Sequence, residues 1–526
     1  MAPRLRSARA PVAGVRSRQG GRRCRLDGRA VRRRTTRPES RRPRYHHAAA
    51  SARGVRATRV AGPHVVGTDP ALHRAGPRRP LLVRAPHIPA TDSASAVRNP
   101  APATVQPDPR ATHLESRHPG THGPRTPAGS LHGVIVVSVL VGFVAAVLLL
   151  PTVSDVVSLV RLLLGHRRIA LTPPAAPPRL LFLVPAHNEE KLIASCVHSL
   201  MALRYPAERR RAVVIADNCT DRTAELARQA GAQCLERHDR QLPGKPRAIA
   251  WALSQQPLED VDSVVIIDAD TVVDPDFGVS LAQAAPVTHK AFQGYFDVRN
   301  PTDGALTRMA AVLAAGNYRF AYALKRRVGL NAPLLGNGMC IGTAVLATHG
   351  WNAFTIAEDW ELYTLYTTQG VPIESLERAR LYAEEARSLR QSSSQRQRWT
   401  AGKLTVLGRL ITRLIGSAKI GPAQKFDALA ELTAPGPVVH LGLVTALALL
   451  VAVARPPEAA ILLFALGASL VRFAIYTVAG LLVQPHPLRC AVAFAFLPLY
   501  MVWRLGAAFA AAKMLGNKPW IRTARQ

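Results

Sequence analysis

The sequence predicts an α/β domain with a mostly parallel sheet, flanked by transmembrane helices. Three apolar runs, LLFLV, VVI and VVII, each end in a polar cluster, and helical patterns separate them. Unbroken apolar runs of this kind indicate strands that are buried on both faces of a parallel sheet. Long uncharged runs lie on either side of this region, at 131–150 and after residue 435. Each has about the length that a helix needs to cross a bilayer, ~20 residues.

The segment 1–130 is strongly basic and has no long apolar run. It holds 27 Arg, no Lys, 17 Pro and six acidic residues, which gives +21 of the total formal charge of +34. Such a composition buries too little apolar surface to offset the entropy of ordering. Three interpretations stay open: a disordered extension that binds anionic lipid or nucleic acid, a targeting region, or a stretch outside the mature protein. Aromatic residues do not interleave the basic ones, so no specific nucleic-acid partner is expected.

The cysteines are too scattered to form a recognisable framework. No two of them form a Cys-x-x-Cys pair, so neither a zinc site nor a disulfide scaffold is predicted. Reduced thiols in a cytosolic domain account for them. The six are Cys24, Cys196, Cys219, Cys234, Cys340 and Cys490.

The first predicted transmembrane helix covers residues 131–150, which carry no formal charge. The basic triplet HRR follows at 166–168, and positive charge next to a span favours the cytoplasmic side. The segment TPPAAPP at 172–178 has the composition of a linker. The domain at 179–400 is therefore expected to lie in the cytoplasm.

The C-terminal region, 437–516, is predicted to hold two or three further transmembrane helices. The runs 437–454 and 459–483 are good candidates, and 490–503 is a shorter one. Beyond residue 503 the chain is expected to form an interfacial helix, because it contains the basic residues Arg504, Lys513 and Lys518. Long, uniformly apolar runs argue against ordinary core helices. We expect a multi-pass protein of the cell membrane that contacts membrane lipid.

Polar side chains follow each predicted strand of the soluble domain. Glu189 lies in the cluster after the first strand, Asp217 closes the second, and Asp268 and Asp270 follow the third. In open parallel sheets, ligands bind beyond the carboxyl ends of the strands. A single carboxylate at a strand end is often only a helix cap, whereas three strand ends with acid and amide groups indicate a site.

The pair Asp268 and Asp270 is a candidate for metal binding. In an extended strand, side chains two residues apart share a face. Carboxylate oxygens suit a hard divalent cation, Mg²⁺ or Mn²⁺, which commonly neutralises a diphosphate. Asp274 and Asp276 flank a proline and are better explained as a capped turn that starts the next helix.

Two further motifs have simple structural alternatives. Glu358 and Asp359 could be acidic residues at a helix start, where the macrodipole favours them. The stretch that begins QRQRW continues to residue 425 as a basic amphipathic segment, which predicts an interfacial helix over 401–425. That prediction is compatible with a functional role for Gln395, Arg398 and Trp399, which can face inward.

Seven motifs occur in a fixed order, and together they resemble a known family. They are VPAHNEE, ADNCTD, LPGK, VVIIDAD, GNGMC, AED and QRQRW, within residues 184–399. This order is similar to that of the family 2 glycosyltransferases with a GT-A fold. It most resembles their membrane-embedded branch, which includes cellulose, chitin, hyaluronan and poly-N-acetylglucosamine synthases. Two positions depart from the family pattern: Pro246 follows the motif lysine, and Ala357 stands where many synthases have threonine.

The resemblance implies a role for each matching residue. Five residues would bind a UDP-sugar donor: Pro185, Glu189, Asp217, Lys245 and Asp268. Asp270 would bind the metal ion, Mg²⁺ or Mn²⁺. The general base would be Asp359. The acceptor channel and the leaving diphosphate would be lined by the QxxRW motif: Gln395, Arg398 and Trp399.

The implied reaction is an inverting glycosyl transfer to a growing β-linked poly- or oligosaccharide. A second possibility keeps this chemistry but transfers the sugar once, to a lipid acceptor. A third belongs to another class, a nucleotide-binding membrane protein without transferase activity. Loss of Asp359 or Arg398 would have favoured the third, and both are present.

Overall fold

The structure, a computed structural model, describes residues 128–166 and 176–511. Nearly all of the basic segment 1–130 lies outside the described residues. So do residues 172–175 of the predicted linker and the chain after residue 511.

The described residues contain eight strands, most of them short and buried. The strands are β1 (Leu180–Ala186), β2 (Arg210–Asp217), β3 (Gln233–Arg237), β4 (Ser263–Ile266), β5 (Val272–Val273), β6 (Ala291–Val298), β7 (Met339–Gly342) and β8 (Ile373–Ala383). Alternate residues of β1 face opposite sides of the sheet and are buried on both, as its apolar run predicted. Side chains on one side join a core with Leu181 and Leu183, and those on the other join a core with Phe182 and Val184.

These strands form one mixed sheet in the order β3-β2-β1-β4-β7-β6-β8-β5. The pairs β1–β2, β1–β4, β2–β3 and β6–β8 are parallel. β7 is antiparallel to both of its neighbours, β4 and β6, and β5 is antiparallel to β8. Four of the seven neighbouring pairs are thus parallel, which confirms the mostly parallel sheet that the sequence predicted.

Helices surround this sheet and continue beyond it. Within the described residues they are α1 (Ala128–Leu163), α2 (Ile193–Met201), α3 (Thr223–Gln229), α4 (Lys245–Gln255), α5 (Phe277–Gln283), α6 (Ala305–Gly316), α7 (Tyr322–Arg327), α8 (Thr343–His349), α9 (Glu358–Thr368), α10 (Leu389–Gly416), α11 (Pro422–Thr433), α12 (Pro437–Ala454), α13 (Ala459–Leu482), α14 (Pro487–Ala493) and α15 (Leu497–Ala511). A π-helical turn, Asn317–Ala321, joins α6 to α7, and a 3₁₀ turn, Phe494–Phe496, joins α14 to α15.

Four stretches of the described residues are long and apolar enough to cross a membrane: Gly133–Leu163, Pro437–Ala454, Ala459–Leu482 and Pro487–Ala511. The first extends well beyond the predicted span at 131–150. The last is longer than the predicted span at 490–503, because α15 continues through Arg504, whose side chain is buried rather than at a helix end.

A buried cluster of charges joins the α/β domain to these apolar helices. Lys325 of α7 lies 2.6 Å from Asp427 and 2.9 Å from Glu431, both of α11. Arg472 of α13 lies 3.1 Å from Glu431 and 3.2 Å from Asp155 of α1. Removing one partner of a buried ion pair costs about 3–5 kcal/mol, since the other charge is left uncompensated. The cluster therefore fixes four helices, α1, α7, α11 and α13, in one arrangement.

Candidate active site

The carboxylate pair predicted for the metal lies in a turn, not in a strand. β4 ends at Ile266, and the amide of Thr271 donates to the carbonyl oxygen of Asp268 at 3.0 Å. The extended backbone ends before Asp268 and Asp270, so the condition under which their side chains would share a strand face is not met. They stay at the carboxyl end of a central strand, the edge where such sheets bind ligands.

Lys245 connects two of the predicted groups. It is the first residue of α4, and its Nζ lies 2.6 Å from Asp268 Oδ1 and 3.4 Å from Glu358 Oε1. Burial lowers the pKa of Lys245, but the carboxylates of Asp268 and Glu358 outweigh burial, so the pKa is raised and the ammonium is retained. Pro246 fits here because proline suits the first turn of a helix.

The loop Gly336–Gly338 supports this ammonium and the aspartate turn. Lys245 Nζ donates to the carbonyl oxygen of Gly336 at 2.7 Å. The buried Asn337 accepts from the amide of Asp268 at 3.1 Å and donates to Thr271 Oγ1 at 2.8 Å. The sequence left open whether Gly336–Gly338 is an ordinary turn or, as the resemblance implies, a stretch near the acceptor terminus, and it did not indicate that Asn337 supports the aspartate turn.

Asp359, the predicted base, lies at the start of α9 next to this loop. Its Oδ1 accepts from the amide of Trp360 at 2.8 Å. Gly336 has φ +81°, and a Cβ there would lie 3.2 Å from Asp359 Oδ2 and 3.6 Å from Lys245 Nζ. Burial, followed by the negative charge of Glu358, raises the pKa of Asp359 to about 7. A carboxylate with this pKa can take up a proton near neutral pH.

Helix α10 brings the QxxRW residues to the same edge. Burial lowers the pKa of Arg398, opposed by the charges of Glu358 and Asp268, so this guanidinium lies within electrostatic range of both carboxylates. A Cβ on Gly402, one turn further, would lie 2.5 Å from the Cβ of Ala357, the residue before α9. This close approach requires glycine at 402, because a Cβ there would overlap Ala357 unless α10 moved away.

The two tryptophans of this region differ in exposure and contacts. The Trp360 ring has Lys403 Nζ 4.2 Å from its centre and packs edge-on against Tyr363. Trp399 is 46% exposed, with the guanidinium of Arg396 4.9 Å from its ring centre. Trp399 is therefore the better placed of the two to receive a ligand. Gln395 is half-buried one turn before it.

Asp217 is buried at the end of β2 and anchors the loop before Lys245. Its Oδ1 accepts from Arg237 Nη1 at 2.6 Å, and its Oδ2 accepts from the amide of Gly244 at 3.1 Å. Arg237, at the end of β3, also binds Asp239 at 2.6 Å. Sequence reasoning did not identify Arg237, because its strand QCLER is short and lacks an apolar run.

The other two predicted donor residues lie at the end of β1. Pro185 is a strand residue in register with Ile215 of β2. Glu189 follows in the loop, where its amide donates to Thr223 Oγ1 at 2.8 Å. The structure thus places Pro185, Glu189 and Asp217 at neighbouring strand ends. The second group meets around Lys245 and comprises Asp268, Glu358, Asp359 and Arg398.

The residues present fit a hard divalent cation that is shared with a substrate. No group of three or more His, Cys, Asp or Glu side chains suited to a metal occurs in 128–166 or 176–511. Mg²⁺ is typically held by one or two carboxylates together with substrate phosphates, not by an all-protein cage. Asp268 and Asp270 are such a pair of carboxylates. Their small number is therefore consistent with a metal that arrives with a diphosphate.

The fold and this set of side chains define a class of protein: a GT-A-like domain of the nucleotide-sugar transferases. Residues 177–402 match the family described as glycosyltransferase-like family 2. Residues 177–402 are therefore a family 2 glycosyltransferase domain, as the order of the seven motifs predicted.

Curated relatives carry glycosyltransferase names. A β-monoglucosyldiacylglycerol synthase from Synechocystis sp. is 31% identical over 227 residues, which cover 37% of this chain and 44% of that protein. Glucomannan 4-β-mannosyltransferase 7 from Arabidopsis thaliana is 22% identical over 273 residues, which cover 48% and 47%. The chain spans about half the length of the curated relatives it matches.

Solved structures include the mannosyltransferase PcManGT from Pyrobaculum calidifontis, in complex with GDP-Man and Mn²⁺. The similarity covers 72% of this chain and 98% of that one, at 19% identity and a TM-score of 0.46. Staphylococcus aureus TarS, residues 1–349 with UDP-GlcNAc, is 15% identical, with a TM-score of 0.37 over 65% of this chain and 93% of that one.

Proposed function

We propose that this protein is an inverting membrane glycosyltransferase that transfers a sugar from a UDP-sugar. The observation that carries the proposal is the position of Asp359. It lies beside a loop that also holds Lys245 and Asp268, and its pKa of about 7 suits a base. One carboxylate is thereby ready to accept a proton, while its neighbours hold the charges that a diphosphate donor needs.

The proposed chemistry is a single displacement. Asp359 takes the proton of an acceptor hydroxyl as that oxygen attacks the anomeric carbon. The bond from this carbon to the diphosphate oxygen breaks, and UDP leaves with the electron pair. Attack from the face opposite the leaving group inverts the configuration.

On the donor side, Lys245 and Arg398 bind the diphosphate. The Lys245 ammonium is a compact positive charge suited to phosphate, and the Arg398 guanidinium presents a planar fork of donors. The nucleoside of the donor is bound at the ends of β1 and β2, by Pro185, Glu189 and Asp217. Asp268 and Asp270 would hold Mg²⁺ or Mn²⁺, which offsets the charge that develops on the departing UDP.

On the acceptor side, Gln395 and Trp399 of α10 receive a growing β-linked poly- or oligosaccharide. Trp399 supports this assignment, since its exposed ring offers a face on which a sugar can stack. The second candidate is one transfer to a lipid. It is favoured by the relatives named β-monoglucosyldiacylglycerol synthases, at 31% and 28% identity. A non-catalytic nucleotide-binding protein is disfavoured, because the base and its neighbours are assembled.

The protein is proposed to be a multi-pass protein of the cell membrane, with its α/β domain in the cytoplasm. Four stretches of the described residues have the length and apolarity that this requires. The domain would thereby have access to cytoplasmic nucleotide sugars and to membrane lipid.

The test is UDP release by the detergent-solubilised protein over a panel of UDP-sugars, with Mn²⁺, Mg²⁺ or EDTA. We expect metal-dependent release with one sugar and its loss in Asp359→Asn. Asp260→Asn, at an exposed carboxylate that lies 3.5 Å from Arg179, is the matched control and should retain activity. Folded protein that releases no UDP with any donor or added acceptor would contradict the proposal.

The size of the product separates the two acceptors. A ladder of increasing saccharide length from one donor supports polymer synthesis, whereas a single sugar on an extracted lipid supports the lipid acceptor. The comparison uses the same preparation with and without added diacylglycerol.

A further inference from the structure

Arg504 is a buried cation in an apolar stretch that could cross a membrane. Its side chain belongs to α15 and is only 8% exposed. Its Nη1 is buried and has no hydrogen-bond partner among the residues that the structure describes. The titratable neighbours that act on it are Arg396 and the Tyr500 hydroxyl, and no described carboxylate is among them. Among the described residues, this guanidinium therefore has no neighbouring carboxylate to compensate its charge.

A second guanidinium lies on the facing helix. Arg396 of α10 binds Glu385 through Nη2 at 2.5 Å, while its Nε is buried without a partner among the described residues. Glu385 thus compensates one of two neighbouring positive charges. Arg396 also stacks on Trp399, so this pair of cations lies one turn of helix from the proposed acceptor residues.

The loop before α12 also lies next to the Arg504 side chain. A Cβ on Gly436 would lie 4.0 Å from Arg504 Nη2, so the guanidinium lies against the backbone of this loop. Lys403 of α10 donates to the carbonyl oxygen of Ala434 in the same loop at 2.8 Å. Two cations, Arg504 and Lys403, therefore lie near this short loop.

Buried charge without a counter-charge is costly, so a site of this kind is expected to recruit an anion. The planar fork of arginine donors matches the oxygens of a phosphate or of a carboxylate. The apolar character of α15 makes a lipid headgroup the phosphate with direct access. We propose that Arg396 and Arg504 bind the phosphate of an anionic phospholipid in the seam between α10 and α15.

The test is independent of the transferase reaction and uses the whole protein in a neutral detergent. Thermal unfolding is followed with added phosphatidylglycerol, phosphatidylcholine or inorganic phosphate. A ligand that binds only the folded state should raise the midpoint by about 5 °C at saturation. We expect this shift with phosphatidylglycerol, and less than half of it with phosphatidylcholine or inorganic phosphate.

Arg504→Gln should lose the phosphatidylglycerol shift, whereas Arg504→Lys should retain part of it. The matched control is Arg489→Gln, which removes an exposed arginine of α14 and should retain the full shift. A full shift in Arg504→Gln, or an equal loss in Arg489→Gln, would overturn the proposal. So would a wild-type protein that does not respond to phosphatidylglycerol, or one that responds equally to inorganic phosphate. If Arg504→Gln does not fold, the partial shift of Arg504→Lys decides the question.

Discussion

The contact between Gly402 and Ala357 predicts opposite effects for two glycine-to-alanine changes in one helix. Gly402→Ala would place its Cβ 2.5 Å from the Cβ of Ala357 and 3.2 Å from Ile356. Gly408→Ala, in the same helix α10, meets nothing within 4 Å among the described residues. The two variants share the helix and the chemistry of the change, so they differ only in this contact.

The magnitude is the balance of two effects. Alanine is favoured over glycine inside a helix by about 1 kcal/mol, which stabilises both variants equally. Overpacking a tight contact costs about 1–3 kcal/mol, and only Gly402→Ala has this cost. Gly408→Ala should therefore gain about 1 kcal/mol of unfolding free energy. The difference between the variants should be about 1–3 kcal/mol.

The assay pairs denaturant unfolding in detergent with UDP-release kinetics. Displacement of α10 moves Arg398 away from Glu358, so Gly402→Ala should also lower kcat/KM by about tenfold, or ~1.4 kcal/mol. Gly408→Ala should stay within about twofold of the wild type, or ~0.4 kcal/mol. Equal stabilities and equal rates for the two variants would refute the inference that this contact positions α10.

Three further predictions concern the site itself. UDP release should rise with pH through about 7, because burial and Glu358 raise the pKa of Asp359 to about 7 and only the deprotonated carboxylate accepts a proton. A rate that is constant through this range would contradict a role for Asp359 as the base. Asp217→Ala should lower the unfolding free energy by about 1–3 kcal/mol, since it removes the acceptor of Arg237 Nη1 and of the Gly244 amide while Arg237 keeps its pair with Asp239. Asp276→Ala breaks an exposed pair and should cost at most about 1 kcal/mol in the same denaturant titration. EDTA should abolish UDP release, and Asp270→Asn should need at least about tenfold more Mn²⁺ to restore it; release at the full rate in EDTA would exclude a metal at this position.

Local sequence patterns predicted the central strands because those strands are buried on both faces. The runs that became β1, β2 and β4 are continuous and apolar, and polar residues mark where each one ends. Strands β3 and β5 lack this signal, since QCLER is mostly polar and VV is two residues long. The reversed direction of β7 was also missed, because strand direction depends on long-range pairing and not on composition.

The sequence also predicted only part of the candidate site, namely the residues that belong to recognisable motifs. Charged residues such as Asp268 and Asp359 are recognised from motif order, whatever their contacts. Asn337 and Arg237 act through hydrogen bonds to residues that are distant in sequence, at 3.1 Å and 2.6 Å respectively. Such partners become apparent only when the chain is folded. Arg504 was predicted to begin an interfacial segment, because its burial depends on how α15 packs against α10.

The charge cluster around Lys325 has a consequence for the order in which the chain is made. Lys325 leaves the ribosome about a hundred residues before its partners Asp427 and Glu431, and Arg472 follows later still. Until α11 is made, Lys325 of the nascent α/β domain lacks the two carboxylates that neutralise it. A chain truncated after α10 would keep this defect permanently. The packing of the transferase domain around Lys325 is therefore expected to be completed only after α11 and α13 have been made.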